Sequence, residues 1–348
     1  LSVGTYTVEE VIPEGWNNTT PSSVTVDITC CNPCTIINFG NYEYPDITIY
    51  KYNDENMNGM WDGEEVMVDE PVFFNGQGAG GFFFEDFGIT GMFAFENVEV
   101  GDYIITETVP EGWMATTPIE QMNTLHPGDH WEVYFGNIQT GDIEVYKFYD
   151  ENMNGEYDEG ETMLSDWDFN LWNTVEGEPE EILETNTTDE NGLVMFEGRA
   201  PGLYAVQEME QECWFATTEV IQYVEVEAGM TKELWFGNVQ HGNITVYKFW
   251  DDDEDGEYDE GEKMLKGLDF NLWTADESGN PIEIIASGET GDGGCLKFTK
   301  LHPGNYAVQE VGGDGWVNTT PLIQLVHLES GEEEEVWFGN VQHGNITV

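Results

Sequence analysis

Three lysines recur at one phase of a repeating pattern. Lys51, Lys147 and Lys248 each close an alternating segment, as in Ile47-Thr48-Ile49-Tyr50-Lys51 and Ile244-Thr245-Val246-Tyr247-Lys248. Successive side chains of a strand point to opposite faces, so each lysine shares a face with the apolar residues two and four places before it. The same parity sets Glu107 with Tyr103 and Ile105, Glu208 with Tyr204 and Val206, and Glu310 with Tyr306 and Val308. It sets Asn137 with Val133 and Phe135, Asn238 with Leu234 and Phe236, and Asn340 with Val336 and Phe338. A buried charge without a partner is costly, so each Lys, Glu and Asn set is expected to meet.

Burial lowers a lysine pKa and raises a glutamate pKa. A neutral amine can attack the Asn carboxamide carbon while a protonated Glu polarises the carbonyl. The product is a Lys–Asn amide, with loss of ammonia. The alternative from the same residues is a buried Lys–Glu ion pair hydrogen-bonded to Asn.

A second set of residues has metal-ligand spacing. Residues 54–65 read Asp-Glu-Asn-Met-Asn-Gly-Met-Trp-Asp-Gly-Glu-Glu. Asp54, Asn56, Asn58, Asp62 and Glu65 fall at loop positions 1, 3, 5, 9 and 12, with Gly59 at position 6. This is the calcium-loop spacing of an EF-hand. The second copy supplies Asp150, Asn152, Asn154, Asp158 and Glu161, and the third Asp251, Asp253, Asp255, Asp259 and Glu262. Met60, Glu156 and Glu257 at position 7 would each give a backbone carbonyl. The flanks are strand-like rather than helical, which suits structural Ca2+ better than a sensor, because no helix pair is available to open. The bland alternative is a solvated acidic loop.

The elements that must position these residues repeat as well. Phe-Gly-Asn ends at Asn41, Asn137, Asn238 and Asn340, at intervals of 96, 101 and 102 residues. Short segments rich in Val, Ile, Tyr, Phe and Thr, separated by Gly, Pro and Asn turns, predict an all-β class. The expected organisation is a tandem array of Ig-like or prealbumin-like β-sandwich domains forming a rod. Three repeats are complete: 42–138, 139–239 and 240–340. Residues 1–41 match the C-terminal half of a repeat, and 341–348 match the first strand of a further one. This suggests either a window on a longer array or head-to-tail strand exchange, with 341–348 of one copy added to 1–41 of the next.

Composition narrows the function classes. Nine Lys plus Arg against 70 Asp plus Glu give a net charge of −61. That excludes nucleic acid or anionic lipid bound through a basic surface, and invites cations. Hydrophobic residues at 39% and aromatics at 13% are enough to build cores, so the charge does not mean disorder. No apolar run long enough to span a membrane is present. The six histidines form no repeating constellation with a nucleophile and a carboxylate, so no enzyme is expected. Asn17, Asn18, Asn186, Asn243, Asn318 and Asn345 lie in Asn-x-Thr sequons and are candidates for covalent glycans. Cys30, Cys31 and Cys34 suggest a local disulfide, Cys295 a buried thiol, and Cys213 stands where other repeats have a turn Gly before Trp.

The order Lys…Gly-x-Tyr-x-x-x-Glu…Asn resembles collagen-adhesin B-type (prealbumin-like) domains of surface adhesins and pilins. The acidic loop followed by Thr187-Thr188-Asp189-Glu190-Asn191-Gly192 resembles the B domains of serine–aspartate-repeat adhesins. The resemblance covers all three complete repeats. It implies autocatalytic isopeptide bonds at Lys51/Glu107/Asn137, Lys147/Glu208/Asn238 and Lys248/Glu310/Asn340. The expected function is structural: an extracellular, calcium-rigidified segment of a fibre, pilus or cell-surface stalk that self-associates into filaments. The second expectation is a ligand-binding cell-surface adhesin, with Gly76–Phe87 as its candidate surface.

Overall fold

The computed structural model describes residues 1–31, 34–313 and 315–342. The described residues are almost entirely strand and turn, with a single short 3-10 turn at Ala79–Gly81. No helix among them is long and apolar enough to cross a membrane. The chain divides into two compact units. One comprises Leu1–Asp142 with 197–202 and 226–231; the other comprises the remainder.

Each complete repeat forms two facing sheets. In the first repeat one sheet runs Trp113–Ala115, His130–Gln139, Asp46–Asn53, Met92–Phe95. The other runs Glu120–Leu125, Gly101–Thr108, Val72–Gly78, Phe83–Ile89. The second repeat has the same plan, with Gly141–Tyr149 beside Thr231–Gln240 in one sheet and Asp168–Val175 beside Gly202–Glu208 in the other. The third pairs Gly242–Trp250 with Glu333–Val341, and Asp269–Ala275 with Gly304–Glu310.

The alternation read from the sequence sets the inward faces. Ile47, Ile49 and Lys51 are all fully buried, as are Ile143, Val145 and Lys147, and Ile244, Val246 and Lys248. An aromatic pair at the same place in each repeat joins the two sheets. These pairs are Phe74 on Phe135 at 5.1 Å, Phe169 on Phe236 at 4.9 Å, and a tilted Phe270 on Phe338 at 5.0 Å. Such pairs add about 0.5–1.5 kcal/mol beyond the area they bury.

One topological feature matters for the site. The first and last strands of a repeat are neighbours and run parallel, with Lys51 opposite Phe135 and Lys248 opposite Phe338. A parallel pair needs a long crossover, and here the crossover is the rest of the domain.

Residues 1–41 fold as two short pairings. Gly4–Glu9 lies antiparallel to Ser23–Ile28, and Trp16–Asn18 pairs with Asn41–Glu43. Residues 343–348, with the Asn345 sequon and most of the segment expected to exchange, lie outside the described residues. All five cysteines are free and exposed. Cys295 is therefore not the buried thiol expected; its strand alternates, and Leu296 and Phe298 take the inward positions instead. No disulfide joins Cys30, Cys31 and Cys34.

Candidate functional site

The structure brings each Lys, Glu and Asn set together in the buried interior of its repeat. Lys51, Lys147 and Lys248 are fully buried, and the six partners are at most 3% exposed. Lys51 Nζ lies 3.2 Å from Glu107 Oε1 and donates to the Phe135 carbonyl at 2.9 Å. Asn137 Nδ2 donates to that same Glu107 Oε1 at 2.6 Å. In the second repeat, Lys147 Nζ is 3.7 Å from Glu208 Oε1, to which Asn238 Nδ2 donates at 2.5 Å. Lys147 also donates to the Phe236 carbonyl and sits 4.5 Å over the Trp167 ring.

The third repeat uses both oxygens. Lys248 Nζ donates to Glu310 Oε2 at 3.1 Å and Asn340 Nδ2 donates to Oε1 at 2.6 Å. Asn318 Nδ2 also donates to Oε2, at 2.7 Å. That sequon asparagine is therefore held by a buried carboxylate.

Desolvation dominates the electrostatics. It lowers all three lysines from an ordinary 10.5 to about 8, against the opposing pull of the paired glutamate. It raises Glu107 and Glu208, and the lysine beside each only partly restores them. In all three repeats the Asn side-chain oxygen has no hydrogen-bond partner, and neither do Glu107 Oε2 and Glu208 Oε2. An unpaired buried polar atom costs about 1–3 kcal/mol. The arrangement is thus an amine near its neutral form, a proton-accepting carboxylate and a carboxamide whose carbonyl is unengaged.

The acidic loops share one backbone. Gly59, Gly155 and Gly256 hold φ of +72°, +77° and +83°. A Cβ on Gly59 would also stand 3.1 Å from the Thr116 carbonyl. The first acid of each loop, Asp54, Asp150 and Asp251, is fully buried and accepts from the position-6 amide at 2.8 Å. Asn56 and Asn58 turn their amides onto Asp62, as Asn152 and Asn154 do onto Asp158. Glu65, Glu161 and Glu262 fold back onto the position-9 amide.

The residue set fits a hard cation. Carboxylate oxygens of Asp251, Asp253 and Asp255 lie within 4.8 Å of one another. Asp251 Oδ1 and Glu65 Oε1 are buried without partners. The side-chain oxygens of Asn56 and Asn58 accept from the backbone amides of Asn58 and Met60, as those of Asn152 and Asn154 do from Asn154 and Glu156. These loops would therefore have to rearrange to turn oxygens at positions 3 and 5 inward.

Two features escaped sequence reasoning. First, the position-8 ring of each loop stacks on the last strand: Trp61 on Tyr134 at 5.6 Å, Tyr157 on Trp235 at 4.8 Å, and Tyr258 on Trp337 at 4.9 Å. An aromatic at that position in every copy was the signal. Second, Asn41 has a glutamate too. Its Nδ2 donates to Glu10 Oε1 at 2.5 Å, while Glu10 Oε2 and Asn41 Oδ1 are buried without partners. The spacing Gly4-x-Tyr6-x-x-x-Glu10 is that of Gly101 to Glu107, and could have revealed it.

Of the other sequons, Asn17 donates to Tyr42 and Asn18 to the Thr20 carbonyl, both half-buried. Asn186 donates to Glu184, and Asn243 Oδ1 accepts from the Lys300 amide.

Residues 256–342 match the model of the SpaA prealbumin-like fold domain. The third repeat is a prealbumin-like domain. The whole chain is 25% identical to serine-aspartate repeat-containing protein F of Staphylococcus epidermidis, spanning 22% of that protein. Over 78% of the chain it is 24% identical to serine-aspartate repeat-containing protein D of Staphylococcus aureus strain Newman, again spanning 22% of that protein. The chain therefore covers about a fifth of the length of these relatives. Among solved structures, BcpA, the major pilin subunit of Bacillus cereus, is 12% identical, with 86% of this chain and 99% of that one covered and a TM-score of 0.37. The chain is a tandem array of β-sandwich repeats, of which the third matches a prealbumin-like domain.

Proposed function

We propose that this chain is a load-bearing segment of a cell-surface fibre or adhesin stalk, with each complete repeat locked by a Lys–Asn amide and stiffened by calcium. The observation that carries this reading is the shared Glu107 oxygen, which faces Lys51 Nζ and Asn137 Nδ2 together. The amine gives a proton to Glu107 and attacks Asn137 Cγ. The same carboxyl returns the proton to the departing Nδ2, which leaves as ammonia. One C–N bond breaks, one forms, and no oxidant or cofactor is needed.

The bond would join the first strand of a repeat to the last. Tension pulling on the two ends of a domain would then bypass residues 52–136 and their equivalents. Those residues would otherwise pay out roughly 280–300 Å of extended chain per domain. Calcium would be held by Asp54, Asn56, Asn58, Asp62 and Glu65 and by the matching residues of the other loops. When bound it would neutralise clustered carboxylates and draw each loop closed. The reading is structural rather than enzymatic.

Single-molecule stretching tests the function. The three repeats should show no unfolding steps, whereas variants lacking the asparagines should unfold in steps of the length above. Stepwise unfolding of the unaltered chain would refute it.

A second reading has one supporting observation. In the first repeat, Phe82, Phe87, Phe93 and Phe95 line a groove of about 530 Å³, and nearby Phe83 is 72% exposed. That surface suits ligand capture by an adhesin. Loss of glycan or matrix-protein binding on replacing Phe83 and Phe93 by Ser would support it.

A further inference from the structure

The third repeat offers its lysine a second asparagine. Asn318 Nδ2 donates to Glu310 Oε2 at 2.7 Å, and Lys248 Nζ donates to the same oxygen at 3.1 Å. In the first repeat it is Asn137 that shares an oxygen with the lysine, Glu107 Oε1, at 2.6 and 3.2 Å. Asn340, the residue in step with Asn137, uses the other oxygen of Glu310. Glu107 and Glu208 each keep one buried oxygen without a partner, whereas both oxygens of Glu310 are engaged.

Strand register explains how Asn318 arrives there. The short strand Val317–Asn318 runs antiparallel to Glu333–Val341, and Asn318 lies directly opposite Asn340. Side chains so paired stand on one face of the sheet, with Cβ atoms about 4.5–5.5 Å apart. Ala115 and Ala216 hold this place opposite Asn137 and Asn238, and neither carries a carboxamide. The backbone is fixed on both sides of Asn318. Trp316 packs edge-on against Trp250 at 5.2 Å. Thr319 N donates to the Gly339 carbonyl at 3.0 Å, and Gly339 N donates to Thr320 Oγ1 at 3.1 Å.

We propose that Asn318 is a second acceptor for Lys248, so that the third repeat closes through either of two mutually exclusive amides, Lys248–Asn340 or Lys248–Asn318. This rests on the cross-linking read for the complete repeats and adds an acceptor that the other two lack. In the second route Lys248 Nζ gives a proton to Glu310 Oε2 and attacks Asn318 Cγ. The same oxygen returns the proton to Asn318 Nδ2, which leaves as ammonia. One C–N bond forms and one breaks. A chain closed in this way keeps the Asn340 carboxamide and can carry no glycan at Asn318, whose side-chain nitrogen has left.

The two acceptors differ in distance from the lysine. Asn340 is on the strand beside the lysine's own, opposite Trp250, and Asn318 is one strand further. Neighbouring strands lie about 4.7–4.9 Å apart. Asn340 should therefore take most of the lysine and Asn318 a minor share. Removing Asn340 should send the lysine to Asn318.

Peptide mapping of the full chain by mass spectrometry tests this. Asn340→Ala should still lose one ammonia, about 17 Da, from the third repeat, with Lys248 joined to Asn318. Asn137→Ala should lose none from the first repeat, where Ala115 stands in the place of Asn318. Asn340→Ala combined with Asn318→Ala should lose none from the third. The unaltered chain should hold the Lys248–Asn318 peptide as a minor species, which decides the matter even if Asn340→Ala does not fold. A Lys248–Asn340 peptide in the unaltered chain, with no Lys248–Asn318 peptide in either chain, overturns the second acceptor and leaves the internal cross-links standing. Absence of cross-linked peptides from every repeat overturns both.

Discussion

Asn137 donates its side-chain amide to the same Glu107 oxygen that stands 3.2 Å from Lys51 Nζ. The group that must lose a proton and the group that must gain one thus share a single carboxylate oxygen. Asn238 and Glu208 repeat this with Lys147, although the amine stands further off, at 3.7 Å. In the third repeat Lys248 and Asn340 use different oxygens of Glu310, and Asn318 occupies one of them.

That difference predicts an order of reaction. Asn318→Ala should quicken cross-linking in the third repeat by freeing Glu310 Oε2. Refolding followed by mass spectrometry against time measures it, and an unchanged or slower rate would count against the shuttle through Glu310.

Glu107→Gln should leave the first repeat folded but uncrosslinked, because the amide cannot carry the proton. The ammonia lost by that domain should drop by one equivalent. Asn137→Ala should also remove the bond. A tie closing a loop of this size is worth about 4–5 kcal/mol in the chain-entropy account, so urea should unfold that repeat correspondingly earlier.

The lysine pKa sets a pH dependence. Lys51, Lys147 and Lys248 are lowered to about 8 from 10.5. Between these values the folded chain has shed protons that the unfolded chain keeps. Stability of a variant with all three asparagines replaced by Ala should therefore rise as pH climbs from about 8 towards 10.5, and level off below about 8. Cross-linking of the unaltered chain should quicken over pH 7–8.5, as the neutral amine becomes abundant. Urea titrations across that range check the first, and timed mass spectra the second.

The loops predict graded metal affinity. The third has carboxylates at positions 1, 3 and 5, where the first two have asparagine at 3 and 5. More ligand charge favours Ca2+, so the third loop should bind tightest and Asp253→Asn should bring it towards the others. Because Tyr258 stacks on Trp337, indole emission should report the binding. Titration of single-loop variants that shows equal affinities would contradict the ranking.

Cys213 occupies a left-handed position at φ +71°, where Gly112 and Gly315 have +75° and +86°. A side chain there costs about 1–2 kcal/mol. Cys213→Gly should stabilise the second repeat by about 1 kcal/mol, read as a rise in its denaturation midpoint.

Much of the site was legible because strand parity ties burial to sequence position. Lys51, Glu107 and Asn137 each fall in step with buried apolar neighbours, so their meeting followed from the cost of isolated charge. Glu10 was missed because a repeat counted from its lysine has no beginning in residues 1–41. The Asn318 bond was invisible because the other complete repeats carry Ala115 and Ala216 there. Cys295 was misread by comparison with Leu193, although the alternating Leu296 and Phe298 supply the inward side chains of that strand. The stacked rings at the loops depend on cross-strand distances that spacing along one segment does not encode.

Intact mass of the purified chain tests the central claim most directly. Three Lys–Asn amides should leave it about 51 Da below the mass calculated from its sequence, at about 17 Da of ammonia each. A mass equal to the sequence value would contradict the account and leave three buried ion pairs in its place.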